Sequence, residues 1–304
     1  MTAISTSAFY QRATRSLLSL RGEAERLQAA IGSGQRLTRS SDDPLAAAQL
    51  RSLGRTDSFA AIDTTLGERV MADLTLADGA LSSFAAYATR IKELAVQAAN
   101  GVLAPVQRQA IATELDQLRG ELIGLANTRD AAGHALFGGE TSGAAYALDA
   151  AGNPVYAGTA SAGEVPLGDG QSVTRGVTGP EFLNFTAGGG PTDLFAVTKA
   201  LADALRGAAP DPAQAARDAL GSIDAGLDAI TTTQTVLGTR MNWIELAAER
   251  RTAMAELRSE DQAELGGTDM AEAVLKLQQT MTVLEASQAS FARLSSLSLF
   301  AILR

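Results

Sequence analysis

Residues 220–248, LGSIDAGLDAITTTQTVLGTRMNWIELAA, decide the fold class of this chain. The stretch carries a series that is apolar except for one glutamine: Leu220, Ile223, Leu227, Ile230, Gln234, Leu237, Met241, Ile244 and Ala248. Its steps alternate between three and four residues, so an α-helix places the whole series on one stripe. The spacing predicts a long helix over about 211–262 that pairs with other helices in a coiled-coil seam.

The two ends of the chain carry the same pattern. The N-terminal series is Leu17, Leu20, Ala24, Leu27 and Ile31, and the C-terminal series is Val274, Leu277, Met281, Leu284, Gln288, Phe291 and Leu294. A helix with one apolar stripe is marginal alone, because most helical stability comes from packing that stripe. We therefore expect an assembly interface at Leu17, Leu20, Leu27, Ile31, Leu277, Met281, Leu284, Phe291 and Leu294. Within it, the polar Gln288 is expected to limit register and partner choice.

The stretch SSDDP at residues 40–44 predicts a turn and the start of the second helix. Asp43 can accept hydrogen bonds from free amides of the first turn, and Pro44 at the first helical position loses no needed hydrogen bond. Adjacent carboxylates at Asp42 and Asp43 are explained by capping more simply than by acid–base chemistry or a bound cation. This helix is expected to end near Thr56.

Two more helices are expected before the middle of the chain. The apolar periodicity predicts a long helix over about 57–100 and a partner over about 105–130. Asn100 and Gly101 interrupt the pattern between them, so the two helices should form an antiparallel hairpin.

Residues 138–192 differ from the rest, because glycine is dense there and proline recurs. Short β-type runs alternate with turn signals such as the Ala-Gly-Asn-Pro sequence at 151–154. The segment predicts a small all-β domain inserted between helical regions. A flexible linker is the alternative interpretation.

The composition favours helix seams over a thick globular core. Apolar residues make up 46% of the chain but aromatic residues only 5%, so few large side chains are available to fill a core. The expected fold is mainly α, with a long coiled-coil stem formed from both termini and the small all-β domain inserted in the middle. The expected parts are an N-terminal helical arm (1–56), a helical hairpin of the stem (57–137), the β-rich outer domain (138–192), returning stem helices (193–265) and a C-terminal helical arm (266–304).

Several classes of function are disfavoured. The chain has no cysteine, which excludes disulfides and thiolate sites, and His134 is its only histidine. We find no metal-ligand, phosphate-loop or serine-hydrolase motif, so we expect no cofactor, no metal and no enzymatic activity. The net charge of −9 argues against nucleic-acid binding. No apolar run is long enough to cross a bilayer, and the first residues do not resemble a cleaved secretory signal.

Three stretches together resemble the bacterial flagellin family. LQAAIGSGQRLTRSSDDPLAAAQL at 27–50 is similar to the family's N-terminal signature. Residues 80–101 followed by 108–139 resemble its second conserved block, and residues 268–304 resemble its C-terminal block. Within the family, the ending SLSLFAILR and the sequences HALFGGETSG and VYAG resemble the protein that joins hook to filament. Ala301 departs from the acidic residue common at its position.

The resemblance implies a structural adaptor of the flagellum, extracellular and exported by the flagellar type III apparatus without a cleaved signal peptide. Its implied partners are copies of itself in a ring, hook-associated protein 1 on the hook side, flagellin on the filament side, and an export chaperone that binds the C-terminal arm. The family's terminal regions are disordered in the free subunit and become coiled coil on assembly. Two alternatives stay open: a flagellin-type filament subunit, and a secreted coiled-coil translocator or effector.

Overall fold

The computed structural model describes residues 2–168 and 170–302, with side chains described for residues 8–168 and 170–294. The chain is mainly α-helical, which confirms the expected class. The longer helices are α1 (Thr2–Ser33), α2 (Pro44–Ala99), α3 (Pro105–Ala126), α5 (Leu194–Asp203), α6 (Pro212–Gly266) and α7 (Met270–Ile302), and a five-residue helix α4 (Gly179–Leu183) lies in the middle. A π-helical turn, Ala204–Ala208, follows α5.

The chain divides into two compact units. One unit, which we call the terminal unit, contains the residues up to Ser58 and those from Ala253 onward. The other, the central unit, is Phe59–Thr252. The five-part division expected from the sequence stays a prediction.

Helix α2 corrects one expectation. The sequence predicted a helix that ends near Thr56 and another that begins at about residue 57, yet α2 is continuous from Pro44 to Ala99. The predicted end lay just after Gly54, which has no heavy atom within 4 Å of an added Cβ. A glycine in an exposed helix interior costs about 1 kcal/mol relative to alanine. The helical turns on both sides of Gly54 offset a cost of this size, so the helix continues through it.

The core of the central unit is built from heptad positions. In α6, the fully buried apolar residues of the predicted series are Ile223, Ile230, Leu237 and Ile244, and the residues between them in the series are half-buried. The stripe of α2 from Val70 to Ile91 is buried as well. Each buried leucine or isoleucine contributes roughly 1.5–3 kcal/mol, so these stripes supply much of the driving force for folding of this unit.

The middle of the chain forms three separate antiparallel hairpins. Their strand pairs are β1 (Tyr146–Leu148) with β2 (Pro154–Tyr156), β3 (Glu164–Gly168) with β4 (Gln171–Thr174), and β5 (Asn184–Ala187) with β6 (Gly190–Asp193). No sheet with more than two strands occurs among the described residues. An inserted all-β domain is thus not confirmed, since strands of three to five residues offer too little ladder for a shared sheet.

Aromatic packing joins this middle segment to the helices of the central unit. The ring of Phe182 in α4 lies 5.0 Å from that of Phe84 in α2 and 4.9 Å from that of Phe137, measured between centroids. All three side chains are fully buried. The segment around the hairpins therefore shares a core with α2.

A buried carboxylate also anchors the segment. The Asp130 side chain is 5% exposed, and its Oδ1 accepts hydrogen bonds from the amides of Ala132 at 2.9 Å and His134 at 2.8 Å. Its Oδ2 accepts a hydrogen bond from Arg175 Nη2 at 2.9 Å, and the same guanidinium binds Asp73 of α2 at 3.2 Å. This network ties α2, the loop after α3 and the residues after β4 together.

Candidate assembly interface

Helices α1 and α7 pack against each other as an antiparallel pair within the terminal unit. Tyr10 of α1 contacts Phe291 of α7 near one end, and Gln35 pairs with Gly267 at the other. The two helices thus bring together the N-terminal and C-terminal series of the sequence.

The expected interface residues divide into two groups by exposure. Half-buried are Leu17, Leu20, Leu27, Ile31, Leu277, Leu284 and Phe291. Met281 and Leu294 are exposed, at 49% and 46%. None of these nine side chains is fully buried, because two helices alone cover only one side of an apolar stripe.

The less exposed residues of α7 differ in part from the series expected from the sequence. They are Ala273, Leu277, Thr280, Leu284, Ser287 and Phe291, of which Ala273 is fully buried, and we call these six residues the paired stripe of α7. Val274, Met281 and Gln288 each follow one of these residues directly, so they lie about 100° further around the helix axis and are exposed. Hydrophobicity gave no signal for Thr280 and Ser287, because small polar residues at a close helix–helix contact look like surface residues in the sequence.

Helix α7 therefore has a second apolar edge beside the paired one. We call the exposed side chains of Met270, Val274 and Met281 the open edge of α7; they are 40–49% exposed. A seam with one half-covered stripe and an adjoining open edge suits a helix that contacts more than one partner.

The turn before α2 has the capping geometry that its residue types suggest. The helix begins at Pro44, and the amide of Ala46 donates to Asp43 Oδ1 at 3.0 Å. This amide hydrogen bond lowers the pKa of Asp43. Asp42 Oδ2 accepts a hydrogen bond from the amide of Arg39 at 2.9 Å, which closes the preceding turn. Both carboxylates thus satisfy backbone donors at the helix start.

The described part of the chain offers no cluster of side chains for a metal ion. Its residues include no group of three or more His, Asp or Glu side chains that could hold a metal ion. His134 is 52% exposed, with Nδ1 3.5 Å from Asp130 Oδ2. In the same residues, no helix has the length and hydrophobicity needed to cross a membrane.

Residues 4–142 match the family model of the bacterial flagellin N-terminal helical region. Flagellar hook-associated protein 3 of Escherichia coli (strain K12) is 24% identical to this chain. The alignment, 310 residues long with its gaps, covers 97% of this chain and 98% of that protein. The similarity thus extends over nearly the whole of both chains.

Solved structures are similar in fold. A structure assigned to a flagellar hook-associated protein of Vibrio parahaemolyticus is 23% identical, with a TM-score of 0.68 over 74% of this chain and 100% of that one. Flagellar hook-associated protein 3 of Legionella pneumophila is 16% identical, with a TM-score of 0.64 over 71% of this chain and 98% of that one. The resemblance to the bacterial flagellin family, and within it to hook-associated protein 3, is confirmed. This chain is flagellin-like and resembles structural proteins of the flagellum, which are not a family of enzymes.

Proposed function

We propose that this chain is the structural subunit that joins the flagellar hook to the filament, and that it does so by coiled-coil assembly of its two ends. The observation that carries the proposal is the incomplete burial of the α1/α7 seam. Seven of the nine expected interface residues are half-buried and two are exposed, although the two helices already pack together. Such a seam gains free energy when neighbouring copies cover it.

The gain per residue is large enough to drive ordering. Full burial of a leucine contributes roughly 1.5–3 kcal/mol, so completing the burial of several half-covered residues adds a few kcal/mol for each copy. That surplus can offset the conformational entropy lost when helices that are marginal alone become fixed. In this account, the terminal arms acquire their full coiled-coil stem in the assembled ring.

The proposed partners are those that the resemblance to the flagellin family implies. Copies of the chain form the ring, hook-associated protein 1 contacts it on the hook side, and flagellin contacts it on the filament side. An export chaperone covers the C-terminal arm (266–304) before assembly, where the open edge of α7 would otherwise be exposed to solvent. Export proceeds through the flagellar type III apparatus without a cleaved signal, which places the protein outside the cell.

A deletion strain tests the proposal. Electron microscopy should show hooks without filaments, and fractionation of the culture should find flagellin shed into the medium. Expression of this chain in the deletion strain should restore filaments. Normal filaments in the deletion strain would refute the junction role.

A flagellin-type filament subunit is the second candidate, since the matching family model is that of the flagellin N-terminal region. Self-assembly separates the two roles. A filament subunit extends long filaments from seeds when purified, whereas a junction subunit stops after a limited assembly.

A further inference from the structure

The break between α1 and α2 lies beside the break between α6 and α7. Gln35 and Gly267 form an isolated antiparallel bridge. The amide of Thr268 donates to the carbonyl of Gly34 at 3.0 Å, and the amide of Arg36 donates to the carbonyl of Gly266 at 2.8 Å. We call these two backbone segments, 34–36 and 266–268, the clasp.

The Arg36 side chain strengthens the clasp from a second direction. Its Nη2 donates to the carbonyl of Leu265 at 2.8 Å, and the same atom lies 3.5 Å from Asp43 Oδ2. The last carbonyls of a helix have no partner within the helix and attract cations. Arg36 therefore satisfies the C-terminal end of α6 while it approaches the capping residue of α2.

Two glycines allow the backbone conformation of the clasp. Gly34 has φ +70°, a backbone conformation that side chains disfavour. At Gly267, an added Cβ would lie 2.3 Å from the carbonyl oxygen of Ala263. A side chain at either position would therefore strain the backbone that forms the clasp.

The α1/α7 seam needs such a device, because its own pattern repeats. Apolar residues recur every seven positions on both helices, so a shift by one heptad still places apolar residues opposite each other. Gln288 was expected to limit the register, but its side chain is exposed on the side of the open edge. A polar residue outside the paired stripe does not discriminate between registers.

We propose that the clasp sets the register of the α1/α7 pair, and that Arg36 is its positioning residue. The two helices then pair from the clasp outward toward Tyr10 and Phe291. This order lowers the entropy cost of bringing the two ends of the chain together, because the clasp closes the long loop first. The inference deepens the proposed assembly through the chain ends and rests on that proposal.

Cross-linking of the purified full chain tests the inference. Since the sequence has no cysteine, cysteine pairs can be introduced without a background. The pair Tyr10→Cys with Phe291→Cys reports the observed register, and the pair Tyr10→Cys with Leu284→Cys reports a shift by one heptad. A short bifunctional maleimide gives a yield for each pair, and their ratio measures register.

Arg36→Ala should lower the ratio of observed-register to shifted-register product roughly threefold or more, given the usual strength of a charge-assisted hydrogen bond. Arg36→Lys keeps a cationic donor and should recover part of the ratio. Arg39→Ala removes the same kind of side chain from the same linker outside the clasp and should leave the ratio unchanged. Gly34→Ala attacks the clasp through its backbone and should act in the same direction as Arg36→Ala.

An unchanged ratio in both Arg36→Ala and Gly34→Ala would show that the clasp does not set the register. That result would leave the pairing of α1 with α7 standing. A parent chain that gives no product with either cysteine pair would instead overturn the pairing of the two ends in the free chain, whereas the deletion strain tests the junction role separately. Circular dichroism of each variant should show an unchanged melting transition for the central unit, which contains neither residue.

Discussion

Tyr10 of α1 and Phe291 of α7 pack edge to face, with ring centroids 5.5 Å apart and ring planes at 87°. Phe9 adds a second edge-to-face contact to Tyr10 at 5.9 Å. Edge-to-face pairs contribute about 0.5–1.5 kcal/mol beyond the burial of their area. Residues from the two ends of the chain thus hold the α1/α7 pair together at the end that lies away from Gly34 and Gly267.

Leu284→Asp should abolish incorporation into flagella while the central unit stays folded. The half-buried Leu284 side chain belongs to the paired stripe of α7. A carboxylate at this position would lose part of its hydration without gaining a partner. Incorporation can be measured by immunoblot of sheared flagella. Leu275→Asp is the matched control, because Leu275 is 55% exposed on the same helix. Normal incorporation of Leu284→Asp would show that the seam is not required.

Met281→Lys should separate assembly from pairing. Met281 is 49% exposed on the open edge of α7, so the purified chain should keep its cross-link between cysteines at positions 10 and 291. Incorporation should nevertheless fall, because a charge on the open edge opposes packing against a neighbouring copy. Two results would contradict a second contact surface on α7. One is loss of the cross-link in Met281→Lys, and the other is incorporation at the level of the parent chain.

Phe182→Ala should destabilise the central unit by about 3–5 kcal/mol, the usual cost of truncating a buried phenylalanine. Its ring lies against Phe84 and Phe137, so the change leaves a cavity between α4 and α2. Urea denaturation followed by circular dichroism measures the loss. Leu148→Ala, at a position 60% exposed in β1, should change the free energy of unfolding by less than about 0.5 kcal/mol. Equal effects of the two changes would mean that the middle segment does not share the core.

Asp130→Asn should destabilise the central unit by about 1.5–3 kcal/mol at neutral pH, since Asp130 accepts charge-assisted hydrogen bonds. Burial raises the pKa of Asp130, but the amide hydrogen bonds from His134 and Ala132 and the charges of His134 and Arg175 outweigh it. The pKa therefore lies below its ordinary value of 3.8. The stabilisation is present above this ordinary value and is lost as the pH falls through the lower, folded-state pKa.

Urea denaturation of parent and Asp130→Asn at pH 7 and at progressively lower pH checks the sign. The difference in the free energy of unfolding should shrink as the pH falls below 3.8. His134→Gln should have a small effect at neutral pH, because the hydrogen bond to Asp130 comes from the backbone amide of residue 134, which the substitution keeps. A difference that stays constant at low pH would contradict the ionised state of Asp130 in the folded protein.

The helices were predictable because their burial follows one simple period. Ile223, Ile230, Leu237 and Ile244 are seven residues apart, and the core of the central unit is built on them. The start of α2 at Pro44 and its end near Asn100 were also predicted correctly. Each boundary depends on the conformational preferences of a few adjacent residues.

Other features depend on contacts between distant residues. The hairpins of the middle segment were foreseen as short strands, but their packing through Phe137 and Phe182 onto α2 leaves no trace in local patterns. Likewise, the sequence predicted Met281 in the paired stripe because it is apolar. In the structure Met281 is exposed, and the neighbouring Thr280 is half-buried instead. Hydrophobicity ranks side chains, but helix geometry and the size of the neighbouring residue decide which of two adjacent positions faces a partner.

Hydrogen exchange in the free chain and in the chain within assembled flagella shows whether assembly completes the α1/α7 interface. Amides of α1 and α7, at residues 8–31 and 273–291, should be only weakly protected in the dilute monomer, where the paired seam is half-covered, and should become strongly protected on incorporation. Amides of α3 in the central unit should be equally protected in both states. Full protection of both terminal helices in the monomer, with no change on incorporation, would contradict an interface completed by assembly.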